Sequence, residues 1–241
     1  MCEYRMPVES ECLDDWVSAL LAERVQFSHP FVSCCPAFGS VSGTYGQFQR
    51  NLMGFVAGRL IKIPVMRSIG RVRDGGLSNV LLSLDYNSTH QKVLEEAGYI
   101  TAKTHIGLKN VFFGSARTLA EDISDFQYIE IIRVIFKAAR LIRMQALNSI
   151  HDEAGDPLMG ANASGVAFLK ASLESALGSM TVAIPKEMAG YVVTIPNGQD
   201  IVNNGLKFGF RLIGIPIIRE IEINASYSYA GSQFDPRLET L

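Results

Sequence analysis

The sequence predicts a mixed α+β chain of the α/β type: a mixed sheet flanked by helices, closing on a C-terminal β-hairpin and an extended terminal arm. Helical stripes and β-type runs alternate through the first half, which is the pattern of a sheet with helices on its faces. One long helical stripe covers residues 126–150. From Thr181 onward the pattern turns to strands. At 241 residues the chain has ample core for one large domain or two small ones. The division expected is an α/β portion over 1–97 and a second domain with the terminal arm over 98–241.

Residues 9–26 read as a helix, with Leu13, Trp16, Val17, Leu20 and Leu21 on one stripe. Pro30 opens a β-type run to Phe38, followed by a Gly/Ser loop over 39–43. Thr44 is placed to cap a second helix reaching Leu60, with Phe48, Leu52, Phe55, Val56 and Leu60 as its stripe. The segment 61–86 is broken by Pro64, Gly70 and Gly75-Gly76, with a short strand expected near 80–84. Asn87 or Ser88 caps a helix to Ala97, which Gly98 ends with a left-handed residue. Tyr99 to Ile106 and Val111 to Phe113 read as strands around a turn at 107–110.

Asp122, Ser124 and Asp125 link into the long helix, which carries Asp125 and Glu130 early and cations along its body, as the helix dipole favours. Gly155, Asp156, Pro157 and Gly160 mark a loop. A helix from Asn162 or Ser164 runs to Leu177 and ends at Gly178. Strands are expected at 180–184 and 191–195, then as a final pair at 206–214 and 217–229.

Little in the sequence points to chemistry. His29, His90, His105 and His151 are scattered over separate elements. The patterns that activate a nucleophile, hold zinc or cradle a phosphate are absent, so no catalytic residue, metal or cofactor is expected. Cys2, Cys12, Cys34 and Cys35 lack metal-ligand spacing and are expected as reduced, buried thiols. A formal charge of −2 gives no global case for nucleic acid, and no apolar run is long enough to span a bilayer. The N-terminus lacks a secretory layout, which makes cytosolic synthesis the expectation.

Two features stand above that background. Arg133, Lys137, Arg140 and Arg143 recur every three or four residues and so share one helix face. That face is either a solvated surface or a contact with an acidic partner. A nucleic-acid groove fits least, because no aromatic interleaves with the charges. The run after Pro216 alternates Ile217, Arg219, Ile221 and Ile223 against polar neighbours and adds Tyr227 and Tyr229 before a polar tail at 231–241. It is either one strand of an internal hairpin or a strand given to the sheet edge of another chain.

Over residues 98–230 the order of short motifs resembles the contractile tail sheath family. The carrying pieces are Gly98-Tyr99-Ile100-Thr101, the Gly107 turn, Phe112-Phe113-Gly114 and Arg117-Thr118-Leu119. Tyr128-Ile129-Glu130 with Arg133, the turn at 197–201, and Gly205, Pro216 and Glu220-Ile221 complete the series. Residues 71–80 match less closely. The resemblance implies a subunit that polymerises with copies of itself as a helical sheath around a tail tube protein, between a baseplate and a terminator, and contracts to drive the tube through an envelope. It implies residence in a virion tail or a phage-tail-like particle assembled in the bacterial cytoplasm. By the same resemblance, Arg133, Lys137, Arg140 and Arg143 are candidates for a tube or intersubunit contact. Ile217, Arg219, Ile221, Ile223, Tyr227 and Tyr229 are candidates for a C-terminal arm strand. Family members carry a further N-terminal portion with its own arm, so this sequence is expected to correspond to the later part of a longer one.

The alternatives are another tail or virion component, which would close into a ring rather than a long polymer, and an α/β enzyme, which would need a pocket with convergent polar groups.

Overall fold

The structure is a computed structural model that describes residues 1–8, 10–231 and 233. It is a mixed α+β chain, as expected, but its strands form several small sheets rather than one. Strand β1 (Cys2–Glu3) lies parallel to β2 (Cys34–Cys35). Helix α1 (Leu13–Gln26) follows, with Asp14 and Asp15 in its first turn and Arg24 in its last, complementing the helix dipole. Its Trp16, Val17 and Leu20 are buried against Phe38, Tyr86, Leu94 and Tyr99.

Residues 38–62 depart from the sequence reading. Phe38–Gly43 is strand β3, where a Gly/Ser loop is expected. Gly46–Asn51 is strand β4 rather than the first half of a helix, paired antiparallel with β3 from Phe38↔Asn51 to Gly43↔Gly46. Gly46 takes φ +124°, a backbone that lets the chain reverse there and that side-chain-bearing residues avoid. The helical spacing of Phe48, Leu52 and Phe55 is therefore coincidental. Helix α2 begins only at Met53 and ends at Lys62, burying Met53, Val56 and Leu60. β5 (Val80–Leu81) completes a three-stranded sheet against β3.

Helix α3 (Ser88–Glu96) starts as expected, with the Asn87 carboxamide accepting from the Thr89 and His90 amides at 2.9 and 3.0 Å. Gly98 follows at φ +92°, where a Cβ would stand 3.0 Å from the Thr118 carbonyl. β6 (Ala102–Thr104) pairs with β7 (Val111–Phe113), shorter than the predicted run from Tyr99.

Helix α4 runs Ile129–Asn148. It starts later than predicted because residues 127–129 are engaged in backbone bonds with residues 116–118. Thr118 N donates to Gln127 O at 2.8 Å and Ile129 N to Ala116 O at 2.9 Å. Helix α5 (Ser164–Val182) packs on α4, with Leu169, Leu173, Leu177 and Met180 against Val134, Ala138 and Ile142. The predicted helix stop at Gly178 and strand at 180–184 are not formed. The last turn of α5 continues through Gly178, whose missing side chain leaves room beside the Tyr191 hydroxyl, and buries Met180.

The C-terminal hairpin is β8 (Gly190–Thr194) with β9 (Gly209–Ile213), joined through the short helix α6 (Ile201–Asn204). It is not the predicted pair 206–214 and 217–229. Residues 214–229 carry no strand pairing. The polar tail beyond 231, apart from 233, lies outside the described residues.

Two of the four cysteines are buried and two are not. Burial pushes the Cys34 thiol up to about 11 and the Cys35 thiol up to about 12, whereas Cys2 and Cys12 are exposed. The expected outcome of alkylation at neutral pH is rapid reaction of Cys2 and Cys12 and protection of Cys34 and Cys35 until the chain is unfolded. Peptide mapping of the modified thiols checks this.

Candidate functional site

The four basic residues of α4 do not form one solvent-facing stripe. Arg133 is half-buried and donates to three backbone carbonyls, Leu60 at 2.7 Å, Ile63 at 3.1 Å and Pro64 at 3.4 Å. These include C-terminal carbonyls of α2, which have no partner within their own helix, so the guanidinium caps α2 and ties it to α4. Burial holds that guanidinium below its ordinary range, partly offset by the nearby Glu130 carboxylate. Lys137 donates to both carboxylate oxygens of Glu187 at 2.6 Å, joining α4 to the segment before β8. Arg140 and Arg143 are exposed, on a side of α4 that also exposes Phe136, Met144 and Leu147. The solvent-exposed part of that stripe therefore consists of two cations among large apolar side chains.

The predicted arm residues divide differently. Ile217 is half-buried. Arg219 is fastened to the body: it donates to Glu130 Oε1 at 2.6 Å, and its guanidinium carbon lies 3.4 Å from the centre of the Tyr128 ring. Glu130 is buried, its side chain only 4% exposed, and its other carboxylate oxygen has no hydrogen-bond partner among the described residues. The arm is thus anchored through Arg219 at the start of α4. Beyond it, Ile221 (74% exposed), Ile223 (82%), Tyr227 and Tyr229 stand in solvent. The two tyrosine rings meet edge to face at 5.3 Å.

The sheet nearest this arm in sequence has open edges. β8 and β9 pair only with each other among the described residues, so each presents one unpaired backbone edge. Sequence reasoning did not single out Glu130 or Tyr128 as the anchor of the arm. The available signal was a carboxylate inside the first turn of an otherwise apolar helix face, next to an aromatic.

The histidines do not converge. His90 Nε2 lies 2.7 Å from Asp14, His29 stacks beside Phe27, and His105 packs near Phe112. Among the described residues no helix is long and apolar enough to cross a membrane.

Comparison with known proteins agrees with this architecture. The model of the DUF2586 N-terminal domain matches residues 1–117, and that of the DUF2586 C-terminal domain matches 125–232. A protein of Haemophilus phage HP1 (strain HP1c1), named as a tail sheath protein, is 33% identical over 114 residues, covering 43% of this chain and 30% of that protein. The sheath of the PVC extracellular contractile injection system, in its contracted state, superposes with a TM-score of 0.66 at 13% identity. That match covers 94% of this chain and 63% of the other. The contracted helical sheath of the anti-feeding prophage gives 0.60 at 18% identity, covering 83% and 57%. The chain thus spans 30% of the phage relative and about three-fifths of the solved sheath chains. With its two halves matching the two domains of one family in order, the chain belongs to the DUF2586 family and shares sequence and fold with contractile tail sheath proteins.

Proposed function

We propose that this chain is a structural subunit of a contractile tail sheath, in a phage tail or a phage-tail-like particle, which polymerises around a tail tube and shortens to drive it through an envelope. The observation that carries the reading is the exposed apolar arm after Arg219, on a chain with sheath fold. Ile221, Ile223, Tyr227 and Tyr229 form an extended, β-prone segment with no partner strand among the described residues. A two-stranded hairpin with free edges is marginal alone and gains backbone bonds when a neighbour adds a strand. The arm and the β8–β9 edges are the two halves of such a contact between copies. Arg140 and Arg143, with Phe136 and Met144, are the proposed contact to the tube, and baseplate and terminator proteins bound the polymer at its ends. No catalytic step enters this reading.

Two substitutions test it. Ile221→Asp with Ile223→Asp alters exposed positions, so the unfolding free energy stays within about 0.5 kcal/mol of the parent, while long polymers give way to small oligomers in sedimentation velocity. Arg140→Glu with Arg143→Glu likewise leaves stability unchanged and weakens co-sedimentation with tail tubes about tenfold. Undiminished polymerisation in the first variant removes the arm contact, and undiminished tube attachment in the second removes the α4 contact.

A further inference from the structure

A strongly basic surface lies apart from α4 and the arm. Between residues 50 and 77 the sequence carries six cations, Arg50, Arg59, Lys62, Arg67, Arg71 and Arg73, against one carboxylate, Asp74, in a chain whose formal charge is −2. Four of these cations line an open cleft of about 940 Å³ between β4, α2 and the following loop. Asp74 is already engaged by Arg67 and Arg71, each at 3.4 Å, and Glu3 stands at the other side. Arg50 and Lys62 have no ion-pair partner among the described residues. Arg59 donates through Nη2 to the Arg71 carbonyl at 3.2 Å, but its Nε is buried without a partner. Burial holds the Arg59 guanidinium below its ordinary range, so the cleft contains a desolvated cation that an added carboxylate would stabilise.

Glycines of α2 form part of the cleft lining. Gly54 and Gly58 lie one turn apart on α2 and line it, and a Cβ built on either meets nothing within 4 Å. The fold gains no room from their missing side chains, although glycine weakens a helix interior relative to alanine. Gly76, across the cleft, differs: its Cβ would stand 2.7 Å from Asn110, so the fold itself requires it. Gly54 and Gly58 leave the helix surface open, bare enough for another backbone to approach.

We infer that this cleft receives the acidic turn 121–125 of a second copy of the chain. The turn reads Glu-Asp-Ile-Ser-Asp and is closed by Ser124 N donating to Glu121 O at 3.0 Å. Asp122 is paired with Arg117, whereas Glu121 and Asp125 are exposed with no ion-pair partner among the described residues. Ile123 projects at the tip, 92% exposed. Two free carboxylates flanking an apolar tip match a cleft whose cations surround the half-buried Phe55 and Leu77. A small free anion would satisfy the charges and leave both apolar surfaces uncovered. Thr118 Oγ1, donating to Phe126 O at 2.7 Å, braces the base of the turn, so little ordering is required on docking. A cleft-to-turn contact joins different surfaces of the two copies, and repetition of such a contact builds a ring or a helical polymer. The inference adds a contact to the sheath reading and rests on it only in requiring copies side by side.

The test is a charge exchange between full-length chains carrying Ile221→Asp and Ile223→Asp, which isolates this contact from the arm. One chain carries Arg50→Glu with Lys62→Glu, the other Glu121→Lys with Asp125→Lys. In sedimentation velocity at low salt, each is expected to self-associate at least about tenfold more weakly than the background chain, and an equimolar mixture to recover that association. Gly58→Leu, which fills the cleft without changing charge, is expected to weaken association about tenfold with no loss of thermal stability. A mixture no stronger than its components, a Gly58→Leu chain that associates normally, or a background chain that stays monomeric overturns the inference. If the unsubstituted chain forms tubes while the exchange fails, only this contact falls. If the exchange succeeds while no tubes form, the contact stands and the sheath reading falls.

Discussion

Replacing Arg219 by alanine is expected to destabilise the folded chain by about 2–4 kcal/mol, although the residue lies in a segment with no strand pairing of its own. Its guanidinium is the ion-pair partner of Glu130, which is buried at the start of α4, and the second Glu130 oxygen already lacks a hydrogen bond among the described residues. Removing the cation strands a carboxylate in the interior, and the loss of its seat on Tyr128 adds to the effect. For a chain of this length the melting temperature should fall by roughly 5–10 °C. Arg219→Lys keeps the charge but not the planar fork over the ring, and should fall between parent and alanine. Removing both charges together, Arg219→Met with Glu130→Met, should cost less than the sum of the single changes. Urea unfolding followed by circular dichroism measures all of these. Arg219→Ala within 0.5 kcal/mol of the parent, by that measurement, would show that the anchor does not form.

Arg133→Ala is expected to cost about 2–4 kcal/mol, because three backbone carbonyls of the α2 terminus and the segment after it lose their donor. Arg140→Ala, seven residues further along the same helix, should change stability by less than about 0.5 kcal/mol. The contrast separates the cation that holds the N-terminal elements to α4 from the cations available to a partner. Equal effects at the two positions would mean that Arg133 is as free as Arg140. A practical consequence follows for any charge reversal along α4: loss of assembly on substituting Arg133 or Lys137 reports misfolding before it reports a contact.

What the sequence made legible is what local rules decide. The stripe of α1, the Asn87 cap and Gly98 stop of α3, the strands around the Gly107 turn and the core of α4 follow from spacing and turn chemistry over a few residues. The misread segments share a different cause. At 44–51 a hairpin turn at Gly46 overrides an accidental helical spacing, and at 178–182 packing against Tyr191 carries a helix through a glycine. The basic stripe of α4 is correct as a periodicity, but Arg133 finds its carbonyls about 70 residues away and Lys137 its carboxylate 50 residues away, distances no window can see. Residues 217–229 are β-forming by composition, yet a strand needs a partner edge, and none is supplied among the described residues.

If the arm adds a strand to a neighbouring copy as proposed, its anchorage lets the subunit keep its shape while doing so. Arg219 fixes the point of departure next to α4, so a change of path over residues 220–229 need not disturb the core. On the proposed sheath function, an arm rooted in the body would carry displacement of one copy to the next as the sheath shortens.

Negative-stain electron microscopy of the purified chain, beside its Ile221→Asp/Ile223→Asp counterpart, tests the central claim most directly. Striated tubes or stacked rings from the unsubstituted chain, absent from the substituted one, are the predicted result. Dispersed monomers at high concentration in both samples would contradict it.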